Sequence, residues 1–241
     1  MKRCVIIGLC FLSCLCSWAQ SFKDVSVTKG GELRLMVTDE EAKNITSLKV
    51  SGPLSEADID FIGKILRANA QLSDIDLSGV YGLSKVKWGA FRSCSNLCKI
   101  TLPRDMERLG DFAFSGCSRL CYVSLPPNLS LIGLNAFSGC LALSEIVIPK
   151  NVSKIETEAF KGCLKLKKIT LLGNTELGKN VFSDCLQLFD IICKSPNPPL
   201  CAEDPFEGVN VKACAVRVPA LSISSYQKAK YWKKFKFIYP L

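Results

Sequence analysis

An α/β solenoid is the architecture this sequence predicts. Its units are about 23 residues long, with a parallel β-sheet along one face and a cap at each end. One phrase, AFSGCSRLCYVSLP at 113–126, is printed almost unchanged as AFSGCLALSEIVIP at 136–149. The pairs Ala90-Phe91, Ala113-Phe114, Ala136-Phe137, Ala159-Phe160 and Val181-Phe182 put phenylalanine at steps of 23, 23, 23 and 22 residues. Several other apolar columns keep the same step, and a fixed period in this range is the signature of stacked repeats.

Within the unit, a cysteine stands three residues after each phenylalanine: Cys94, Cys117, Cys140, Cys163 and Cys185. Leu97, Leu120, Leu143, Leu166 and Leu188 follow at three further, then Ile100, Val123, Ile146, Ile169 and Ile191. Spacing by three suits a helical or 3₁₀ turn. The ending L-x-x-I-x-L alternates as a strand does, and Pro103, Pro126 and Pro149 close three of these runs. Leu109, Ile132 and Ile155 mark a second apolar point in the spacer that follows. One such unit cannot bury its apolar side alone. Stacking sets each strand beside its copy, which predicts one parallel sheet on the order of 25–35 Å long.

The segments flanking the repeats read as covers for its exposed ends. The boundaries expected are a signal peptide at 1–20, an N-terminal cap at 21–69, repeats at 70–193, and a degenerate repeat with cap at 194–241. Lys2 and Arg3, an apolar run, and Ser17-Trp18-Ala19 have the layout of a secretory leader. Lipidation at Cys14 is the alternative use of that segment. ITSLKVSG and LSDIDLSG read as strands, with a helix between them that opens at Ser55 and carries Ile59, Ile62 and Leu66 on one face. At the other end Phe206, 24 residues after Phe182, is a degenerate copy of the anchor. A strand closes at Pro219, and Tyr226, Tyr231, Trp232 and Phe235 are available to plug the stack.

Composition narrows the chemistry. The 241-residue chain has no histidine. That removes the commonest general base, the usual partner of a nucleophilic serine or cysteine, and the commonest metal ligand. Without the leader, 29 basic residues face 22 acidic ones, a net charge of about +7. These charges are dispersed through the repeats, so a solvated face is expected and nucleic acid is not. Fourteen cysteines fall to ten once the leader is gone. The phenylalanine-linked column is expected to be buried and reduced, since stacked copies point the same way. Cys94, Cys98, Cys117 and Cys121 have the spacing of a zinc knuckle, but the next copies replace its second cysteine by Ser144 and Lys167. No metal or cofactor is therefore expected. Cys201 and Cys214 stand outside the repeat and are the better disulfide candidates.

The phrase AFSGCSRLCYVSLPPNLSLIGLNAF resembles the BspA-like leucine-rich repeats of bacterial surface and secreted proteins. The ending VRVPALSISSYQKAKYWKKFKFI resembles that family's closing segment. The resemblance covers residues 70–241, and residues 21–69 are similar to a cap found in some members. It implies a non-enzymatic protein that binds other proteins or cell-surface polymers, host extracellular matrix among them, with no catalytic motif to carry over. Leu172 in place of proline, Val181 in place of alanine and the 22-residue step depart from the family pattern.

The outward strand positions are the candidate binding face. One column holds Asp74, Lys99, Tyr122, Glu145, Lys168 and Asp190, and the other Asp76, Thr101, Ser124, Val147, Thr170 and Ile192. These vary from rung to rung while the inward columns do not. The second functional class is a glycan-binding or glycan-hydrolysing protein using carboxylates such as Asp74 and Asp76, which a flat sheet would leave unenclosed.

Overall fold

The computed structural model describes residues 21–241, so the leader and Cys14 lie outside the described residues. The chain runs β1 (Phe22–Ser26), α1 (Leu33–Met36), α2 (Asp39–Asn44), β2 (Ser47–Pro53), α3 (Glu56–Ala68) and β3 (Asp74–Tyr81). Short strands follow: β4 (Lys85–Val86), β5 (Lys99–Thr101), β6 (Arg108–Leu109), β7 (Tyr122–Ser124), β8 (Leu131–Ile132) and β9 (Glu145–Ile148). Then come β10 (Lys154–Ile155), β11 (Lys168–Leu171), β12 (Glu176–Leu177), β13 (Asp190–Cys193), β14 (Ala215–Val218), α4 (Ile223–Lys228) and β15 (Phe237–Pro240).

All pairings between these strands are parallel. The second apolar point of each spacer builds its own ladder, β12-β10-β8-β6-β4, with Val86, Leu109, Ile132, Ile155 and Leu177 buried along it. The principal strands form β1-β2-β3-β5-β7 and β15-β14-β13-β11-β9. The single sheet expected from the period is thus two sheets, and the division falls between β7 and β9.

The interior is built of columns. Phe91, Phe114, Phe137, Phe160, Phe182 and Phe206 stack in single file, neighbouring ring centroids 5.1–5.9 Å apart and planes tilted by 5–15°. The turns between phenylalanine and leucine are held by i to i+3 bonds, as from Cys94 N–H to the Phe91 carbonyl, and they do not lengthen into regular helix. Each turn also bonds its neighbour: the N–H of Phe114 donates to the Ala136 carbonyl at 2.7 Å, and that of Phe137 to Ala159 at 2.7 Å. The turn needs a left-handed residue two places past the phenylalanine. Gly116, Gly139 and Gly162 supply it, with φ of 76°, 73° and 68°.

The cysteine column has a specific use in this geometry. The thiol of Cys117 donates to the Phe91 carbonyl, Cys140 to Phe114, Cys163 to Phe137 and Cys185 to Phe160, at 3.0–3.3 Å. A small side chain that packs as a hydrophobe and carries a weak donor therefore ties each rung to the previous one. Burial pushes the Cys94 thiol up to about 11 and raises Cys117, Cys140 and Cys163 as well, which keeps these thiols neutral.

Cys201 and Cys214 do not pair. Both are free thiols, donating separately to the carbonyls of Pro199 and Ala215. The reason is topological. Cys201 bridges to Leu177 on the short-strand ladder, whereas Cys214 leads into β14 of the principal sheet.

The N-terminal cover is pinned by two buried polar side chains. Asn69 ends α3, donating to the carbonyls of Ala42 and Ile45 and accepting from the N–H groups of Gln71 and Leu72. Asp58 accepts from the N–H groups of Gly31 (2.6 Å), Leu33 (3.1 Å) and Ser55 (2.8 Å) and from the Ser55 hydroxyl (2.8 Å). Burial raises the pKa of this carboxyl, but the hydrogen bonds outweigh it and leave it below the usual value. The ionised form is therefore the stabilising one. Its contribution is present above the unfolded aspartate value of about 3.9 and is lost as pH falls through the lower folded value. Asp58→Asn is expected to cost about 1–3 kcal/mol at pH 7. The wild-type advantage should shrink in acid, as read by denaturant titration at several pH values.

Candidate functional site

The two outward columns lie where alternation places them, and the ladders align them across rungs. In the first sheet Asp74 pairs with Lys99 and Lys99 with Tyr122, while Asp76 pairs with Thr101 and Thr101 with Ser124. In the second, Glu145, Lys168 and Asp190 align, as do Val147, Thr170 and Ile192. None of the twelve is buried. The apolar exposure is concentrated at Tyr122, 51% exposed, and Val147, 53% exposed. Opposite charges alternate along the first column, while the second is uncharged from Thr101 to Ile192.

The face extends beyond these twelve residues. Lys49 of β2 aligns with Asp76, and Asp24 of β1 with Lys49. At the other end Arg217 of β14 aligns with Ile192 and donates from Nε to Asp190 Oδ1 at 2.9 Å. Tyr239 of β15 aligns with Arg217 and is exposed. β1, β2, β14 and β15 stand outside the 23-residue step; β14 was marked by Pro219 at its end, and β1 and β15, FKDVS and FKFIYP, had only alternation.

The acidic pair lies on open sheet. Asp76 accepts from the Ser78 N–H and Asp74 Oδ2 from the Ser73 hydroxyl, while Asp74 Oδ1 is buried without a hydrogen-bond partner. The four zinc-knuckle cysteines do not converge. The Cys94 and Cys117 thiols point into the core, whereas Cys98 and Cys121 stand nearer solvent and donate to the carbonyls of Asn96 and Cys98. Among the described residues no three cysteine or acidic side chains gather closely enough to hold a metal ion.

A cleft of about 730 Å³ marks the division between the sheets. Tyr122, Ser124, Glu145 and Val147 line it from the outer side, and Val123 and Leu125 from within. Both inward residues are only half-buried there, although their counterparts Ile100, Ile169 and Leu171 are fully buried. Elsewhere a bond leads into each strand pair, from Cys121 N–H to Cys98 O (2.9 Å) or Lys167 N–H to Ser144 O (2.8 Å). Among the described residues no such bond joins Ser144 to Cys121, and no ladder pairs β7 with β9. The proline after the strand does not distinguish this rung: Pro126 lacks the same donor toward Leu102, yet β5 and β7 pair.

Parallel ladders on two sides, turns joined rung to rung and single-file core columns define a leucine-rich-repeat solenoid. A family model described as BspA type leucine rich repeat region matches six copies over residues 61–196. The chain belongs to that family.

Among solved structures it is similar to a leucine-rich repeat protein of T. pallidum, at 32% identity over 49% of this chain and 57% of that one, with a TM-score of 0.46. It is also similar to the pneumococcal vaccine antigen PcpA, at 23% identity over 72% of this chain and 43% of that one, with a TM-score of 0.52. A leucine-rich repeat protein of Bacteroides ovatus matches at 20% identity over 83% and 62% of the two chains, with a TM-score of 0.43. The matches thus span 43–62% of those three chains. No match is found among curated proteins. Among the described residues no helix is long and apolar enough to cross a membrane.

Proposed function

We propose that this chain is an exported, non-enzymatic binding module that engages a protein or cell-surface polymer, host extracellular matrix included, through its strand face. The observation that carries this reading is the contrast between columns. Inward positions repeat Phe, Cys, Leu and Ile, while the twelve outward positions differ at nearly every rung. Tyr122 stands exposed near their centre, and a half-exposed aromatic on a rigid sheet suits a protein contact. Export rests on the basic, apolar and small-residue order of residues 1–20, and on the surface and secreted character of the family it resembles.

The test is a pull-down with residues 21–241 against host matrix and bacterial surface extracts, followed by affinity measurement on the captured protein. Tyr122→Ala is expected to weaken binding about tenfold or more while leaving the thermal midpoint nearly unchanged. Capture of nothing from either source, or capture indifferent to substitutions throughout the face, overturns the reading. Saturable polysaccharide hydrolysis that disappears in Asp74→Asn or Asp76→Asn would move the chain to the glycan-directed class.

A further inference from the structure

We propose that the gap between β7 and β9 receives an extended peptide segment of a partner protein with apolar residues on its inward side, which enters as an inserted strand and completes both sheets. This rests on the reading of the strand face as a protein-binding surface and makes its chemistry specific.

Backbone polarity identifies the occupant. The N–H of Tyr122 bonds back to Cys98, and Lys168 bonds back to Ser144. Ladder alternation then turns the N–H and C=O groups of Val123 and Leu125 on one side, and of Glu145 and Val147 on the other, into the gap. Two facing rows of donors and acceptors at strand spacing match the backbone of an extended chain. They do not match a folded surface, which presents few free backbone groups. An added strand also alternates its side chains. Inward ones would meet the half-buried Val123 and Leu125, and outward ones would lie among Tyr122, Ser124, Glu145 and Val147. The inward neighbourhood is apolar and the outward one mixed, so the segment alternates apolar inward residues with outward ones of either kind and suits a β conformation.

The rest of the fold lets this gap open without the rungs coming apart. An inserted strand needs the two edges about 9.6 Å apart, twice the normal strand spacing. Behind the gap, β6, β8 and β10 remain paired, and Phe114 stays stacked on Phe137 at 5.3 Å. The turn ahead of the strands is tied by Ala142 N–H on the Ser118 carbonyl at 3.1 Å. The two strands can part about this back edge. The lining also includes Pro127, Pro149, Asn151 and Leu172 beyond the strand ends. There, among the described residues, only an exposed side-chain bond, Asn151 Nδ2 to the Pro127 carbonyl at 2.9 Å, joins the rungs; the segment enters from that side and displaces it. A volume of about 730 Å³ lies within the roughly 300–1,000 Å³ of ligand clefts.

Two measurements on residues 21–241 test this. In the free protein, amide exchange by NMR is expected to be fast at Val123, Leu125, Glu145 and Val147, and slow at Ile146, Ile169 and Ile191. Equal protection at both sets means that the sheets close in solution, and it overturns the proposal.

The second measurement selects linear peptides from a random displayed library and places an N-methyl group on each central amide of the best binder in turn. Each methyl group is expected to weaken binding about 5- to 10-fold, the worth of one backbone hydrogen bond. The four exposed amides should become protected in the complex. Failure to select any peptide, indifference to N-methylation, or a loss confined to alternate amides each overturns insertion. If matrix capture still depends on Tyr122 while these tests fail, the strand-face reading stands and only the gap is excluded. If the peptide results hold but no folded partner is captured, the gap stands alone.

Discussion

Phe137→Ala is expected to destabilise the chain by about 3–5 kcal/mol, the usual cost of deleting a buried aromatic ring. Phe137 is fully buried, with Phe114 at 5.3 Å on one side and Phe160 at 5.1 Å on the other. Its carbonyl also takes the Cys163 thiol. The cavity would therefore open in mid-stack. The neighbouring backbones are held by Phe114 N–H on Ala136 and Phe137 N–H on Ala159, so they cannot collapse into it. Urea denaturation followed by circular dichroism would read the loss as a lower midpoint. A change below about 1 kcal/mol would mean that the ring is not packed between its copies.

Trp232→Ala is expected to cost a comparable 3–5 kcal/mol and, unlike Phe137→Ala, to promote aggregation. Trp232 is 1% exposed. Its edge meets Phe206, the last ring of the stack, at 5.0 Å, and its indole N–H donates to the Pro199 carbonyl at 3.2 Å. Phe235 meets the same ring at 4.9 Å, and Tyr226 lies 5.4 Å from the indole. Removing the indole uncovers the cross-section of the final rung and leaves the Pro199 carbonyl only the weak Cys201 thiol as donor. Terminal rungs without a cover expose core surface to other copies. Denaturation midpoint and light scattering would measure the two effects. A variant that loses stability but stays monomeric would show that Tyr226 and Phe235 suffice as the cover.

The fold was legible because burial enforces repetition. A residue facing its own copy above and below must be one that packs against itself, so Phe, Cys, Leu and Ile recur in step and reveal the period. The end covers are partly legible for the same reason. Phe206 fell within one residue of the step and Trp232 stood out as a plug, but β1 and β15 occur once each and have no copy to betray them. The outward columns were placed by alternation alone, and their chemistry was legible only as variety.

The gap between β7 and β9 was hidden for a different reason. It depends on which backbone groups find partners, and Val123 and Ile146 obey the column rule whether or not their strands pair. Not even the strand-closing proline marks it, since Pro126 stands at the same place and β5 still pairs with β7. Cys201 and Cys214 misled through the same blindness to topology. Both fall outside the period, yet the chain delivers them to different ladders of the solenoid.

A double-mutant cycle is the most direct test of the claim that each unit is held in place by its immediate neighbours. Phe114→Ala and Phe137→Ala, in contact at 5.3 Å, should couple by about 0.5–1.5 kcal/mol. Phe91→Ala and Phe160→Ala, three rungs and roughly 15 Å apart, should add within about 0.5 kcal/mol. Additivity at the adjacent pair, or equal coupling at the distant one, would refute nearest-neighbour stacking as the source of this fold.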